Sequence, residues 1–216
     1  MGGPAIAALK KAAQAALLWV AALAIVGWLW PSALRLPQLW MVAAISLLAN
    51  GSSPPTRPSK ASARGRIATQ RSRSSGPCYG ALIASLAELV IEKPTLGFDL
   101  VTWVSLAVML AGLGLRTWAV VLLGRWLTWN VAVQPGQQLV EHRPYKVIRH
   151  PSYTGALLMF LFGCTLLHAW IAASAFALLL PIAFLRRIHY EEKLLTATLP
   201  TYAAYRKRTG AFLPGL

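Results

Sequence analysis

Acid is scarce in this chain. Six Asp and Glu stand against 21 Lys and Arg among 216 residues, and the formal net charge is +15. Charge of either sign is sparse, at 12%, while 56% of residues are hydrophobic and the mean hydropathy is +0.54. That balance excludes an ordinary soluble domain and implies an integral membrane protein with the lipid bilayer as its partner. Cysteine is nearly absent: Cys78 and Cys164 are the two, and Cys164 lies within an apolar run. They make no disulfide framework and no metal-ligand spacing, so no metal is expected. The most basic stretch has no aromatic residue and lacks the stacking groups of a single-strand binder. Its basic residues lie between apolar segments, as in cytoplasmic loops, so no nucleic-acid partner is expected. Tryptophan, by contrast, is abundant: nine residues of a type that favours the membrane interface.

The apolar runs set the architecture. Ala12–Trp30 holds 19 residues without a charge, and at about 1.5 Å per residue it matches a hydrocarbon core of about 30 Å. It is too long for a signal-peptide apolar region and lacks a clear small-residue cleavage site. Pro31 ends it. After a joint with Arg35 and Pro37, a shorter run, Leu39–Ala49, forms the return arm of a helical hairpin. Asn50–Pro77 then changes character, with Arg57, Lys60, Arg64, Arg66, Arg71 and Arg73 among Ser, Pro and Gly. It reads as a flexible basic linker drawn to anionic lipid.

Tyr79–Ile91 is apolar over 13 residues with Glu88 inside, and reads as either a short tilted span or an interfacial helix. Val101–Leu123 is a clear span interrupted late by Arg116, which either snorkels or faces a polar cavity. Tyr153–Leu185 runs 33 residues without Asp, Glu, Lys or Arg. Straight, it would reach about 50 Å, so it must fold back. His168-Ala169-Trp170 is the expected turn, and Pro181 is expected to kink the returning helix. The tail from His189 to Leu216 is amphipathic and basic.

Basic residues orient the bundle. Lys10, Lys11, the 50–77 linker, the 124–149 segment and the C-terminal tail are expected on the cytoplasmic side, with the joint near Glu92 and Asp99 outside. This requires six crossings if Tyr79–Ile91 spans and five if it lies at the surface.

Two polar clusters flank the last apolar hairpin. Pro144-Tyr145-Lys146-Val147-Ile148-Arg149-His150-Pro151-Ser152-Tyr153-Thr154-Gly155 precedes it, and Arg186-Arg187-Ile188-His189-Tyr190-Glu191-Glu192 follows it. Polar groups at a membrane boundary are costly unless they bind something. The hairpin returns the chain to the side it left, so both clusters can meet on one face. Arg187 and Glu191 stand at i,i+4 and share a helix side. A cation and a carboxylate beside His and Tyr suit a zwitterion, or two ligands of opposite charge; a plain surface ion pair and a capping His150 are the simpler readings.

Together these residues resemble the isoprenylcysteine carboxyl methyltransferase family and its phospholipid methyltransferase relatives. The likeness runs from about Leu113 to Leu216. It includes Leu115-Arg116-Thr117-Trp118-Ala119, Leu123-Gly124-Arg125, Leu139-Val140, Pro144-Tyr145, Arg149-His150-Pro151-Ser152-Tyr153-Thr154-Gly155, Arg187 with Glu191-Glu192, and Tyr202-Ala203-Ala204-Tyr205-Arg206-Lys207-Arg208. The resemblance implies an all-α, polytopic membrane helix bundle of five or six spans, with a catalytic region at the cytoplasmic face of its C-terminal part. The expected organisation is an N-terminal transmembrane hairpin over 1–49, the linker over 50–77 and a methyltransferase core over 78–216.

The resemblance further implies S-adenosylmethionine as methyl donor and a lipophilic acceptor. It assigns the donor to Gln137, Gln138, Leu139, Val140, Tyr145, His150, Pro151, Ser152, Tyr153 and Glu191, and the acceptor to Arg187, with Arg187, Glu191 and His150 as the catalytic set. A carboxylate acceptor, such as a prenylated cysteine, is already nucleophilic at pH 7 and needs no base. A phospholipid amine is the alternative, with His150 or Glu192 as base. Alternatives of other classes are a nicotinamide-dependent sterol-type reductase and a non-catalytic membrane protein. Three positions depart from the family pattern: Gln137 replaces a His, Arg143 replaces a Gly before Pro-Tyr, and Leu199-Pro200 stands where Phe-Gly is usual.

Overall fold

A computed structural model describes residues 3–51, 75–127 and 136–213. The basic linker expected at 50–77 falls outside the described residues except at its edges, where helix α2 runs to Gly51 and α3 begins at Ser75. The helices are α1 (Gly3–Leu29), α2 (Pro37–Gly51), α3 (Ser75–Glu92), α4 (Leu100–Leu123), α5 (Pro151–Leu166), α6 (Trp170–Thr198) and the short α7 (Tyr202–Arg208). Among the described residues the only strand-like pairing is one parallel bridge between Ile148 and Gly210. The all-helical expectation therefore holds.

Three stretches, Ala12–Leu29, Leu100–Leu123 and Trp170–Thr198, are long and apolar enough to cross a membrane, and Pro151–Leu166 is apolar but shorter. Large apolar side chains such as Leu17, Trp28, Ile83, Trp103 and Leu178 are exposed around the bundle. An aqueous surface would not tolerate so many.

Prolines and caps punctuate the chain where expected. Pro31 opens a 3-10 turn, Pro31–Arg35, between α1 and α2. The Asp99 side chain accepts the Thr102 N–H at 2.8 Å and starts α4. His168, with φ +54°, makes the turn between α5 and α6. Pro181 sits inside α6. The first turn of α6 has no cap of its own at Ala169. Glu88, buried on α3, supplies one across the bundle, accepting the N–H groups of Ile171 at 2.9 Å and Ala172 at 2.7 Å. That contact, with Leu86 and Leu89 buried, places α3 within the packed bundle. The His189–Thr198 part of the expected basic tail is a continuation of α6.

The two bundle ends differ in charge. One gathers the Pro31–Arg35 turn, Glu88, Asp99 and the His168 turn; Gln38 Nε2 donates to Gly97 O there at 3.1 Å. The other gathers the C-terminal end of α4, residues 136–150 and the last turns of α6, and is rich in Lys and Arg.

The tightest packing joins α4 to α5. A Cβ placed on Gly155 would lie 2.5 Å from Gly112 O and 2.8 Å from Arg116 N, and one on Gly112 would lie 2.8 Å from Gly155 O. Only glycine lets these backbones touch, as in small-residue crossings of membrane helices. Gly155→Ala is therefore expected to destabilise the protein by about 1–3 kcal/mol through overpacking. Gly114→Ala, with nothing within 4 Å of its new methyl, is expected to be neutral or stabilising by up to about 1 kcal/mol. Thermal unfolding in detergent compares the two.

Candidate active site

Residues from both ends of the last hairpin meet at the basic end of the bundle. Tyr153, in the first turn of α5, donates its hydroxyl to Glu191 Oε2 on α6 at 2.8 Å. The Arg187 guanidinium lies 5.4 Å from the centroid of the same tyrosine ring. Phe184 and His150 both stack against that ring, each with centroids 5.5 Å apart. The expected convergence of the two polar clusters is present, through Tyr153.

Adjacent carboxylates play different parts. Glu191 borders a cavity of about 750 Å³. Glu192, rotated about 100° around the helix, points away into a cationic cluster. It accepts from Arg149 Nε at 2.7 Å, lies 3.3 Å from His150 Nε2, and pairs with Arg206 Nε on α7 at 3.1 Å. Arg149 also donates to the carbonyls of Arg206 and Thr209. Backbone bonds from Arg149 N to Gly210 O at 2.8 Å and from His150 N to Ala211 O at 3.1 Å close the junction. Glu192 thus holds α7 and the 209–211 segment against the start of α5. With these partners it is not a free base for an amine acceptor.

The cavity is bordered by Gln137, Gln138, Leu139, Val140, Tyr145, His150, Ser152, Tyr153, Arg187 and Glu191, among others. Of the residues singled out from sequence, Pro151 is the exception. It lies buried at the first position of α5, where a proline suits a helix start, and does not border the cavity. His150 precedes it at the cap position but makes no side-chain cap bond; its ring contacts Glu192 instead.

Sequence reading did not assign Arg116, Tyr202 and Tyr205 to the site, yet all three border the cavity. Their signal was available: a charge inside an apolar run, and two tyrosines three residues apart in a basic helix. Tyr205 donates to Tyr145 O at 2.6 Å, and Tyr145 donates to Ala119 O at 3.1 Å, linking α7 to α4 through the Pro144-Tyr145 turn. Burial raises the pKa of all three phenols, Tyr205 to about 12 and Tyr145 and Tyr202 further; nearby Glu191 adds to the shift of Tyr145, and nearby Glu192 to that of Tyr202. They stay neutral at physiological pH. The Tyr202 hydroxyl is buried without a hydrogen-bond partner among the described residues.

From this mouth the cavity runs inward between helices, lined by Met109, Met159, Phe160, Leu82, Trp19 and Val42. One end is polar and the arm is apolar.

These features define a class: a helical membrane protein with a polar chamber at one bundle end, opening into an apolar interior. Residues 103–197 match the model of the isoprenylcysteine carboxyl methyltransferase family. The chain is 34% identical over 120 residues to the cobalt-zinc-cadmium resistance protein CzcN of Cupriavidus metallidurans, a match covering 53% of each chain. It is 29% identical to a probable protein-S-isoprenylcysteine O-methyltransferase of Oryza sativa subsp. indica, covering 62% of this chain and 72% of that one. The chain thus spans about half the length of the first of these relatives. Its fold resembles the solved structure of a eukaryotic intramembrane Ras methyltransferase, with TM-score 0.61 and 17% identity over 83% of this chain and 68% of that one.

The family's Gly before Pro-Tyr explains a strained point. Arg143 occupies that place with φ +58°, a left-handed conformation that costs a non-glycine residue about 1–2 kcal/mol. Arg143→Gly is therefore expected to raise stability by about 1 kcal/mol, read as a higher unfolding temperature. Glu192→Ala is expected to lower it by about 3–5 kcal/mol, because Arg149, with a side chain only 9% exposed, would lose its counter-charge. The same unfolding assay reads both.

Proposed function

We propose that this protein transfers a methyl group from S-adenosylmethionine to the carboxylate of a lipophilic, membrane-embedded acceptor of the isoprenylcysteine type. The observation that carries this reading is the polar chamber built by Tyr153, Arg187 and Glu191, continuous with an apolar arm inside the bundle. A water-soluble donor and a lipid-soluble acceptor can reach such a chamber from opposite sides.

The residues present suit the donor. A cavity of about 750 Å³ lies within the roughly 300–1,000 Å³ of small-molecule sites. The buried Tyr202 hydroxyl still has hydrogen-bonding capacity to offer. Gln137, Gln138, Leu139, Val140, Tyr145, His150, Ser152, Tyr153 and Glu191 would hold the donor, with Pro151 fixing the helix start beneath them. When bound, S-adenosylmethionine supplies an electrophilic methyl group on a sulfonium.

The chain's own residues do the rest. Glu191, held by the Tyr153 hydroxyl, presents a carboxylate to a positive group. Tyrosine faces suit a sulfonium cation. Glu192 fixes the ring of His150 at the chamber wall. Arg187 orients the acceptor carboxylate through its planar fork. That carboxylate is ionised at neutral pH, so no proton has to move; placement and exclusion of water carry the rate. The basic residues at this bundle end favour a cytoplasm-facing chamber, with α1 to α6 as six crossings.

Radiolabelled S-adenosylmethionine is expected to bind the purified protein in nanodiscs saturably. Tyr153→Phe, which removes the hydroxyl from Glu191, is expected to weaken this binding about tenfold. His150→Ala and Glu191→Ala are expected to abolish methyl transfer while the protein still expresses. Absence of saturable binding by the wild-type protein would end this reading.

A further inference from the structure

One cation in the chamber has no part in the chemistry above. Arg116 sits on α4 at the glycine crossing, where its backbone nitrogen and Cβ fall 2.8 and 2.9 Å from where a Gly155 side chain would begin. With α5 against its backbone, its side chain is directed to the cavity, which it borders. Its Nη1 donates to Ser152 O over a long 3.4 Å. Among the described residues no carboxylate pairs with it.

The charges around the chamber do not balance. The described side chains bordering it include Arg116, Arg149, Arg187 and Glu191. Arg149 is matched by Glu192, outside the cavity. The remaining carboxylate at the cavity, Glu191, accepts from Tyr153 and makes no ion pair with Arg116 among the described residues. Both guanidinium-bearing side chains border the same cavity as Cys78 and Tyr153, and that of Arg187 lies over the Tyr153 ring. An uncompensated arginine within a membrane helix is costly, and the default expectation is a functional anion partner. The missing charge is negative.

Position says which anion. Arg116 lies seven residues before Leu123, the end of α4, hence about 10 Å inside the helix end. Met109 and Met159, nearer the middle of α4 and α5, border the cavity on its inner side. Gln137 to Val140, Tyr202 and Tyr205 border it at the outer mouth. Arg116 therefore stands where polar chamber meets apolar arm, the place for the head of an amphiphile whose chain lies in the arm.

We infer that Arg116 is an acceptor-binding residue, pairing with Arg187 as a two-guanidinium clamp that makes the site select a carboxylate-headed amphiphile over an uncharged or amine-headed one. This rests on the methyltransferase reading for the identity of the acceptor. The clamp itself is a binding property and can be measured without turnover.

The test uses the full chain in nanodiscs and two probes: N-acetyl-S-farnesylcysteine and its carboxamide, which keeps the shape and loses the charge. Binding of each is measured by competition, and S-adenosylmethionine binding is measured separately on the same preparations. The wild-type protein is expected to bind the carboxylate at least about tenfold more tightly than the amide, since charge-assisted Arg–carboxylate bonds are roughly twice as strong as neutral ones. Arg116→Gln is expected to lose most of this preference, the remainder being held by Arg187, and Arg116→Lys to fall between, with S-adenosylmethionine affinity within about twofold of wild type in both. Undiminished discrimination by Arg116→Gln overturns the inference. So does loss of S-adenosylmethionine binding with discrimination kept, which would give Arg116 to the donor. A wild-type protein without preference for the carboxylate overturns it with no variant needed, even if Arg116→Gln does not fold. A wild-type protein that discriminates through Arg116 but binds no S-adenosylmethionine supports the clamp and removes the methyltransferase reading alone.

Discussion

Backbone meets backbone where Gly112 of α4 crosses Gly155 of α5, and the chamber depends on that contact. A side chain at either position would push the helices apart. The first turn of α5 carries Ser152 and Tyr153, and the same level of α4 carries Arg116. Separating the two helices would move Arg116 away from Ser152 and Tyr153, its neighbours at the cavity. Membrane helices gain little from burying apolar surface against each other when lipid is equally apolar, so close van der Waals approach must fix the geometry. The hydroxyl pair of Ser105 and Thr165, 2.8 Å apart on the same two helices, pins the register further along.

A second constraint is electrostatic. Glu191 and Glu192 are neighbours in sequence but, about 100° apart around α6, face different surroundings. Glu192 is spent on structure, holding Arg149, His150 and Arg206 and, through them, α7 and the 209–211 segment. Glu191 is left facing the cavity. The pair divides its work: one carboxylate is held by cations of the chain, and the other borders the cavity, where a ligand can reach it. Glu88 repeats the economy at the opposite bundle end, where its carboxylate satisfies two N–H groups that α6 cannot satisfy alone.

Much of the architecture was legible in the chain. Pro31, Asp99 and the overlong run from Tyr153 to Leu185 act through local sterics and the fixed rise of a helix, so they place turns without tertiary knowledge. The meeting of the Tyr145–Tyr153 and Arg187–Glu192 clusters also followed from connectivity, since a hairpin must bring its ends to one side. Less legible was the partner of each group. The Arg187–Glu191 spacing suggested a simple ion pair, whereas the contact that ties Glu191 to α5 is the Tyr153 hydroxyl. Pro151 belonged to the same motif as its neighbours yet lies under the site as a helix start. Arg149 read as part of a motif and is the clasp of the C-terminal segment. Arg143 read as a departure, and its positive φ gives the reason a glycine is usual there.

By itself the sequence determined that this is a helical membrane protein, where its helices turn, and that two polar clusters share one bundle end. Those properties depend on composition, helix rise and chain connectivity, which are local. Only the tertiary structure decided which carboxylate faces the cavity, that Arg116 enters it, and that an apolar arm continues from it. These depend on helix rotation and on the closeness of one glycine crossing, and a linear pattern records neither.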